Sequence, residues 1–438
     1  MFETKLYIEP SGQRNMVLLD QETGLPDFWS TLYITNSLRA RQLRLGSIEK
    51  HLQSIQLLHI WCQLRNIKII QRISSGESFS INEIDFLNTI LKLRADELEK
   101  IFTYEKSKLN KEITKVEHPR SLWRILEAAP RQISPTVFND RIHYIAKYVE
   151  WLANILSDKH GNGITREQIR SVGFNFKTHL NSLKIPAPKE NFAESKSLKN
   201  SEIKRILEIV DPNSSENPWD SEATKVRNLA IILILLDTGI RSGELLNLKI
   251  TDVLQGKTKH HGLQIVQRSG SLDDPRKRQR LPKSVQREVP LSDTAFRALN
   301  VYVTKVRAIT PNADQTQYIF VSHSNSTLGQ PIKSINSITD SIREITSIDL
   351  TPHVLRHTAT WKYCVRMKKL GKEWGDFVEL LLLKFGWTSE KSRSVRLYAR
   401  QFVKEELFER QLEYQNEIEK EIRDALEAMD KVTTKSHD

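Results

Sequence analysis

Four short stretches of the chain carry side chains suited to chemistry on an anion. "LLDTGIRSGELLNLKI", residues 235–250, sets Arg241 behind the apolar run Leu229–Leu236, just after a Thr238-Gly239 break. "TPHVLRHT" places His353 and Arg356 three residues apart, a spacing that puts both on one side of a helix. "GWTSEKSRSVRLYAR" holds Trp387 and Tyr398, and the basic stretch "SLDDPRKRQRLPKSVQR" holds Lys277 and Lys283. Two guanidiniums can each give paired hydrogen bonds to the oxygens of a phosphoester. A tyrosine hydroxyl, with a pKa near 10, is a poor nucleophile until deprotonated. Nearby cations favour the phenolate, and a histidine can assist the proton transfer. The set therefore fits nucleophilic attack on a phosphate group.

Each stretch also has a plain structural explanation. Arg241 could cap a helix or pair with Glu244, three residues on. His353 and Arg356 could form a polar patch on a surface helix. Trp387 could belong to a core. Tyr398, among arginines, could lie at a surface with its hydroxyl in water. The basic stretch could be a solvated hairpin tip.

The elements that would position these residues are legible from hydrophobic spacing. "MVLLD", "QETG" and "LPDF" predict short strands and turns in the first 30 residues. From Thr35 to about Ile70 the pattern is helical, with Ile48, Leu52, Ile55, Leu58, His59 and Cys62 at spacings of three and four, closed by "SSGES". A second helix is expected over Ile81–Leu98, and "SPTVFNDRIHYIAKYVEWLANIL" predicts a third. "KIPAPKENFAESKS" reads as a linker. "SLKNSEIKRILEIV" reads as a helix capped by Ser197 or Asn200, and the Arg241 region as helix, break, helix. "GLQIVQRS", "QREVPLS" and "QYIFVSH" read as strands. The stretch from Phe402 onward reads as one long amphipathic helix, either continuous or broken once, so the second half is α+β.

The chain's 438 residues allow two or three domains, and a 39% hydrophobic share can build real cores. A formal net charge of +12 favours a polyanionic partner, nucleic acid or a membrane surface. Against a membrane, Leu229–Leu236 is far short of the roughly 20 residues that span a bilayer, and "MFETKLYIEPSGQR" has no signal pattern. Cys62 and Cys364 lie in apolar-periodic stretches, as buried reduced thiols of a cytoplasmic protein would. No GxxxxGK loop, H-E-x-x-H or Cys/His cluster is found, so neither cofactor nor metal is expected, and His260-His261 reads as a surface pair.

Taken together and in order, the stretches resemble the tyrosine recombinases of the phage-integrase type. "TGIRSGELLNL" is similar to that family's first arginine box, "HVLRHT" to its His-x-x-Arg box, and Gly386-Trp387 to its Gly-His/Trp element. Tyr398 falls at the nucleophile, although the step from Trp387, 11 residues, is longer than the family's usual one. "LPKSVQREVPL" resembles the strand-borne lysine element, which makes Lys283 the general acid and Lys277 the alternative.

The resemblance implies a mainly α fold with a small antiparallel β-sheet in an α+β catalytic domain, and a two-domain DNA clamp with an all-helical N-terminal domain. The expected division is a stranded extension over 1–30, a helical core-binding (SAM-like) domain over 31–185, a linker over 186–197, a catalytic domain over 198–401, and a C-terminal helix over 402–438 that either exchanges between protomers or folds back on its own domain. It implies site-specific cleavage and rejoining of double-stranded DNA through a 3′-phosphotyrosyl link, in a homo-oligomer (a tetramer on DNA), for a phage, genomic island or transposon-like element. Other recombinases or accessory proteins of that element would be partners. Two readings remain beside it: a DNA-binding regulator or accessory recombinase with weakened catalysis, and a type IB topoisomerase-like enzyme.

Overall fold

The computed structural model describes residues 2–41, 43–94, 97, 133–158, 164–186, 197–255, 261–268, 274, 276, 285–390 and 393–435. It divides into two compact units, Met1–Asn191 and Phe192–Asp438.

In the first unit, β1 (Phe2–Ile8) and β2 (Arg14–Asp20) form an antiparallel hairpin running from Phe2↔Asp20 to Ile8↔Arg14. The helices are α1 (Phe28–Tyr33), α2 (Leu45–Leu64), α3 (Ile69–Ser74), α4 (Ile81–Lys92), α5 (Pro135–Ser157) and α6 (Arg166–Ser182). Ile48, Leu52, Ile55 and Leu58 of α2 line one face and are buried with Ile142, Ile145 and Val149 of α5. Local chemistry sets the helix starts. Ser80 and Glu83 form a reciprocal capping box on α4, as Thr165 and Gln168 do on α6. Close packing of α5 on α6 rests on Gly173, where an added Cβ would lie 2.6 Å from that of Ala153.

Several expectations change in this unit. The strands of residues 1–30 are not a separate extension, because Met16 and Leu18 of β2 are buried in the same core as α2. The helix expected over Thr35–Ile70 is broken: a π-helical turn over Ile34–Arg39 precedes α2, and Asn66, at φ 51°, separates α2 from α3. The helix expected to Leu98 ends at Lys92, where Leu93 turns extended.

In the second unit, α7 (Asn200–Val210) and α8 (Glu222–Thr238) precede the short α9 (Ser242–Leu246). Strands β3 (Val253–Leu254), β4 (His261–Ile265) and β5 (Arg287–Leu291) form an antiparallel sheet in the order β3-β4-β5. Helices α10 (Asp293–Val301), α11 (Asn336–Thr346), α12 (Pro352–Lys369), α13 (Trp374–Phe385) and α14 (Arg393–Lys435) follow. The main core joins Ile231, Ile234 and Leu235 of α8 to Leu263, Val289 and Leu355. A smaller cluster of Cys364, Phe377, Leu381, Phe385, Trp387, Val395 and Tyr398 joins α12, α13 and α14. The fold is mainly helical with small antiparallel sheets. No helix among the described residues is long and apolar enough to cross a membrane.

Here too there are differences. Lys199, not Ser197 or Asn200, is the N-cap of α7, and its backbone N–H donates to Glu202 at 2.6 Å. "QYIFVSH" forms only the isolated bridges Lys249↔Tyr318 and Val321↔Pro331, because its backbone pairing, with Leu248 and Ile250 on one side and Gln330 and Ile332 on the other, is too short for a ladder. Asp274 and Arg276, from the stretch read as a solvated tip, are buried and paired at 2.8 Å, with the guanidinium 4.5 Å from the Tyr318 ring centroid. His261 is half-buried, with its ring stacked on Phe296 at 3.5 Å. The boundary expected at 401/402 falls inside the continuous α14, so Tyr398 lies near the start of the same helix as the C-terminal tail. Both cysteines are buried free thiols. The linker beyond residue 186, Lys277, Lys283 and His260 lie outside the described residues.

Candidate active site

The site is built on the break between α8 and α9. The apolar run of α8 ends at Gly239, which takes φ 64° as a left-handed C-cap. An added Cβ there would meet Phe385 Cε1 at 2.7 Å and Ala359 Cβ at 2.9 Å, so glycine is required by both backbone and space. The sharp turn delivers Arg241 as the N-cap of α9. Its guanidinium Nη1 donates to Glu244 Oε1 at 3.1 Å and to the carbonyls of Phe385 and Gly386 at 3.3 and 3.4 Å.

Arg356 reaches the same carbonyl from α12. Its Nη1 donates to Gly239 O at 2.6 Å and its Nη2 to Phe385 O at 2.7 Å. The guanidinium lies 5.4 Å from the Phe385 ring and 5.7 Å from the Trp387 ring. Burial, with the charge of Arg241 second, lowers its pKa to about 9, which leaves it charged at neutral pH. Glu244, whose side chain is fully buried, faces two arginines: Arg241, and Arg287 at 2.9 Å. Arg287 also holds Lys384 O at 2.9 Å, so one carboxylate ties β5, α9 and the end of α13 together.

Tyr398 stacks on Trp387, with centroids 5.7 Å apart at 24°. The longer step between them thus does not separate them. Burial raises the pKa of the phenol, against the opposing pull of its hydrogen bond with Thr360 and of the Arg356 charge. Its hydroxyl is hydrogen-bonded to His357 Nδ1. His353, exposed on the first turn of α12, meets His357 Nε2 at 2.9 Å.

Of the residues singled out in the sequence, Arg241, Arg356, Trp387 and Tyr398 are thus gathered around the segment Phe385–Trp387. His353 connects to the tyrosine through His357. Sequence reasoning passed over His357, Glu244's pairing with Arg287, and Thr360. His357 had a signal, since it lies inside "HVLRHT" four residues from His353. Among the described residues no group of His, Cys, Asp or Glu is arranged to hold a metal ion.

Residues 196–365 match the model of the phage integrase family. No curated protein matches the chain. Among solved structures, the chain is similar to XerH site-specific recombinase bound to difH substrate, at 17% identity over 84% of this chain and 90% of that one, with a TM-score of 0.44. It is also similar to a lambda integrase dimer bound to a COC′ core site, at 14% identity over 90% and 94%, with a TM-score of 0.36. For the Tn1549 transposon integrase in complex with transposon right end DNA the figures are 16%, 66%, 97% and 0.35.

Proposed function

We propose that the protein is a site-specific DNA recombinase that cleaves and rejoins strands through a 3′-phosphotyrosyl intermediate. The observation that carries this reading is the meeting of two guanidiniums, a tryptophan and a tyrosine around one backbone segment of the second unit. In-line attack on a phosphodiester builds charge on the equatorial oxygens, which Arg241 and Arg356 stabilise. Their rigid mounting on carbonyls and on Glu244 supports that role, because preorganised donors need no rearrangement as the charge develops. Trp387 packs beneath the phosphate and Tyr398 attacks it. His353 assists proton transfer, and Lys283, or Lys277 in its place, protonates the departing 5′ oxygen. The phosphotyrosyl link conserves bond energy for rejoining, so neither metal nor nucleotide cofactor is needed.

Double-stranded DNA is the partner, with the +12 charge supplying phosphate contacts whose strength falls steeply with salt. The protein acts in the cytoplasm as a homo-oligomer, a tetramer on DNA, with other recombinases or accessory proteins of a phage, genomic island or transposon-like element. Support for a protomer contact comes from α14, which exposes Leu407, Phe408, Leu412, Ile418, Ile422 and Leu426. That much apolar surface on one helix suits docking against a neighbour.

The test is incubation with nicked duplexes drawn from the DNA flanking the encoding gene. The protein is expected to become covalently attached to DNA, and Tyr398→Phe to abolish the attachment. Binding without attachment under any condition would instead assign a regulator. Relaxation of any supercoiled plasmid, without recombinant product, would assign a topoisomerase.

A further inference from the structure

Two imidazoles stand between the Tyr398 hydroxyl and solvent, and they are linked end to end. Tyr398 is buried, His357 half-buried and His353 exposed. The hydroxyl meets His357 Nδ1, and His357 Nε2 meets His353 Nε2 at 2.9 Å. Two sets of tautomers, opposite in direction, satisfy this line. In the one poised for attack, Tyr398 donates to Nδ1, so His357 carries its hydrogen on Nε2 and donates it to His353, which carries its own on Nδ1. The helix makes this arrangement directly, since residues 353 and 357 are four apart on α12 and so adjacent on its surface.

Among the described residues, the phenol's other neighbours do not take its proton. Arg356 is already a cation. Thr360 donates its own hydroxyl to Arg356 O at 2.9 Å. Cys364 is a thiol that burial pushes up to about 12, and as a thiol it has no lone pair basic enough to take the proton. Trp387 offers only its ring face. A buried phenol raised by desolvation needs an acceptor that delivers the charge elsewhere, and an exposed imidazole provides it.

We propose that His357 is a catalytic residue and that His357 and His353 form a relay carrying the Tyr398 proton to the surface during attack. The inference rests on Tyr398 being the nucleophile. In the step, the Tyr398 O–H proton passes to His357 Nδ1 while the His357 Nε2 proton passes to His353 Nε2. His353 becomes an imidazolium in contact with water, and His357 ends neutral. The tyrosine oxygen forms its bond to phosphorus as the bond to the 5′ oxygen breaks. That oxygen leaves with the proton of the lysine general acid, so base and acid are different groups.

His357→Asn tests this, because the amide oxygen stands near the place of Nδ1 and accepts the same hydrogen bond but cannot carry a proton onward. Covalent attachment to nicked DNA is timed with an ordinary 5′ oxygen and with a 5′-bridging sulfur, which leaves without protonation. His357→Asn is expected to slow attachment about 10²–10⁴-fold on both substrates. His353→Gln, at an exposed position, is expected to slow both by a smaller factor, and the sulfur is expected to rescue Lys283→Ala instead. Wild-type rates for His357→Asn, or rescue of it by sulfur, would overturn the relay while leaving Tyr398 as nucleophile. Attachment that survives Tyr398→Phe, or that wild type never shows, would sink the nucleophile and the relay with it. DNA retention and near-ultraviolet circular dichroism report the folding of each variant. Should His357→Asn not fold, His353→Gln decides, and an unchanged rate there overturns the relay.

Discussion

Among the described residues of the first unit, the buried polar side chains are Asn15, Ser30, His51, Ser54 and Ser157, none of them a carboxylate, lysine or arginine. In the second unit they include Arg227, Glu244, Asp252, Asp274, Arg276, Arg307 and Arg356. Burying a charge costs several kcal/mol that pairing only partly offsets, so such groups add little to stability over apolar ones. The first unit is built for stability by apolar packing and helix caps. The second keeps charges at that cost, and around Arg241 and Arg356 the gain is position. Two guanidiniums are held within reach of one backbone segment by carbonyls and a single carboxylate.

The sharpest way to break this comparison is Glu244→Gln. The change keeps the shape but leaves Arg241 and Arg287 facing each other without the carboxylate between them. Breaking a buried pair in this way is expected to destabilise the second unit by about 3–5 kcal/mol. Local hydrogen exchange should rise in α9 and β5 and stay unchanged in α2 and α5. A loss under about 1 kcal/mol would mean that the carbonyls alone hold the arginines. The counterpart in the first unit is Leu52→Ala, which removes a fully buried side chain from the α2 face. It is expected to cost about 2–5 kcal/mol, read from the urea midpoint.

Acid should sharpen the comparison next. Burial, then the charges of Lys147, His143 and Arg41, lowers the pKa of His51 to about 4. The unfolded chain therefore binds a proton there that the folded unit refuses. Its stability contribution is complete above the unfolded value of 6.5 and is lost as pH falls toward 4. His51→Gln should flatten that acid loss in the first unit. Exchange in the second unit should keep its own acid sensitivity, since burial lowers His323 to about 4 as well.

The same contrast explains what could be read in advance. Apolar spacing marks α2, α5 and β4 because their burial is their reason for forming, and one residue's period suffices. Arg241, Arg356, Trp387 and Tyr398 were legible because side-chain type and chain order carry the chemistry. His357 was not singled out, although it sits within the quoted motif, because its role depends on which turn of α14 faces α12. The Glu244–Arg287 pair joins residues 43 apart, and nothing local to either one announces it. The break between α1 and α2 was missed for a different reason: "RARQLRL" contains no glycine or proline, so local preference argues for one helix. "QYIFVSH" alternates as a strand does, but the segments hydrogen-bonded on either side of it run alongside for too few residues to make a ladder beyond single bridges.

The smallest expected effect tests whether the first unit's stability is as local as its sequence suggests. Ser80 Oγ accepts from Glu83 N at 3.3 Å, and the Glu83 carboxylate accepts from Ser80 N at 2.7 Å. Glu83 has a second task, since Arg72 reaches its carboxylate at 3.3 Å and Trp61 Nε1 donates to its backbone carbonyl at 2.9 Å. Ser80→Ala removes only the cap and should cost about 1 kcal/mol. Glu83→Ala removes the reciprocal bond and the Arg72 contact but leaves the Trp61 bond, which goes to the backbone, and should cost a similar amount. Thermal melts of the two single variants and the double variant form a cycle. A coupling energy above about 0.5 kcal/mol would show the cap acting as one reciprocal unit, and strict additivity would show two independent bonds at the start of α4.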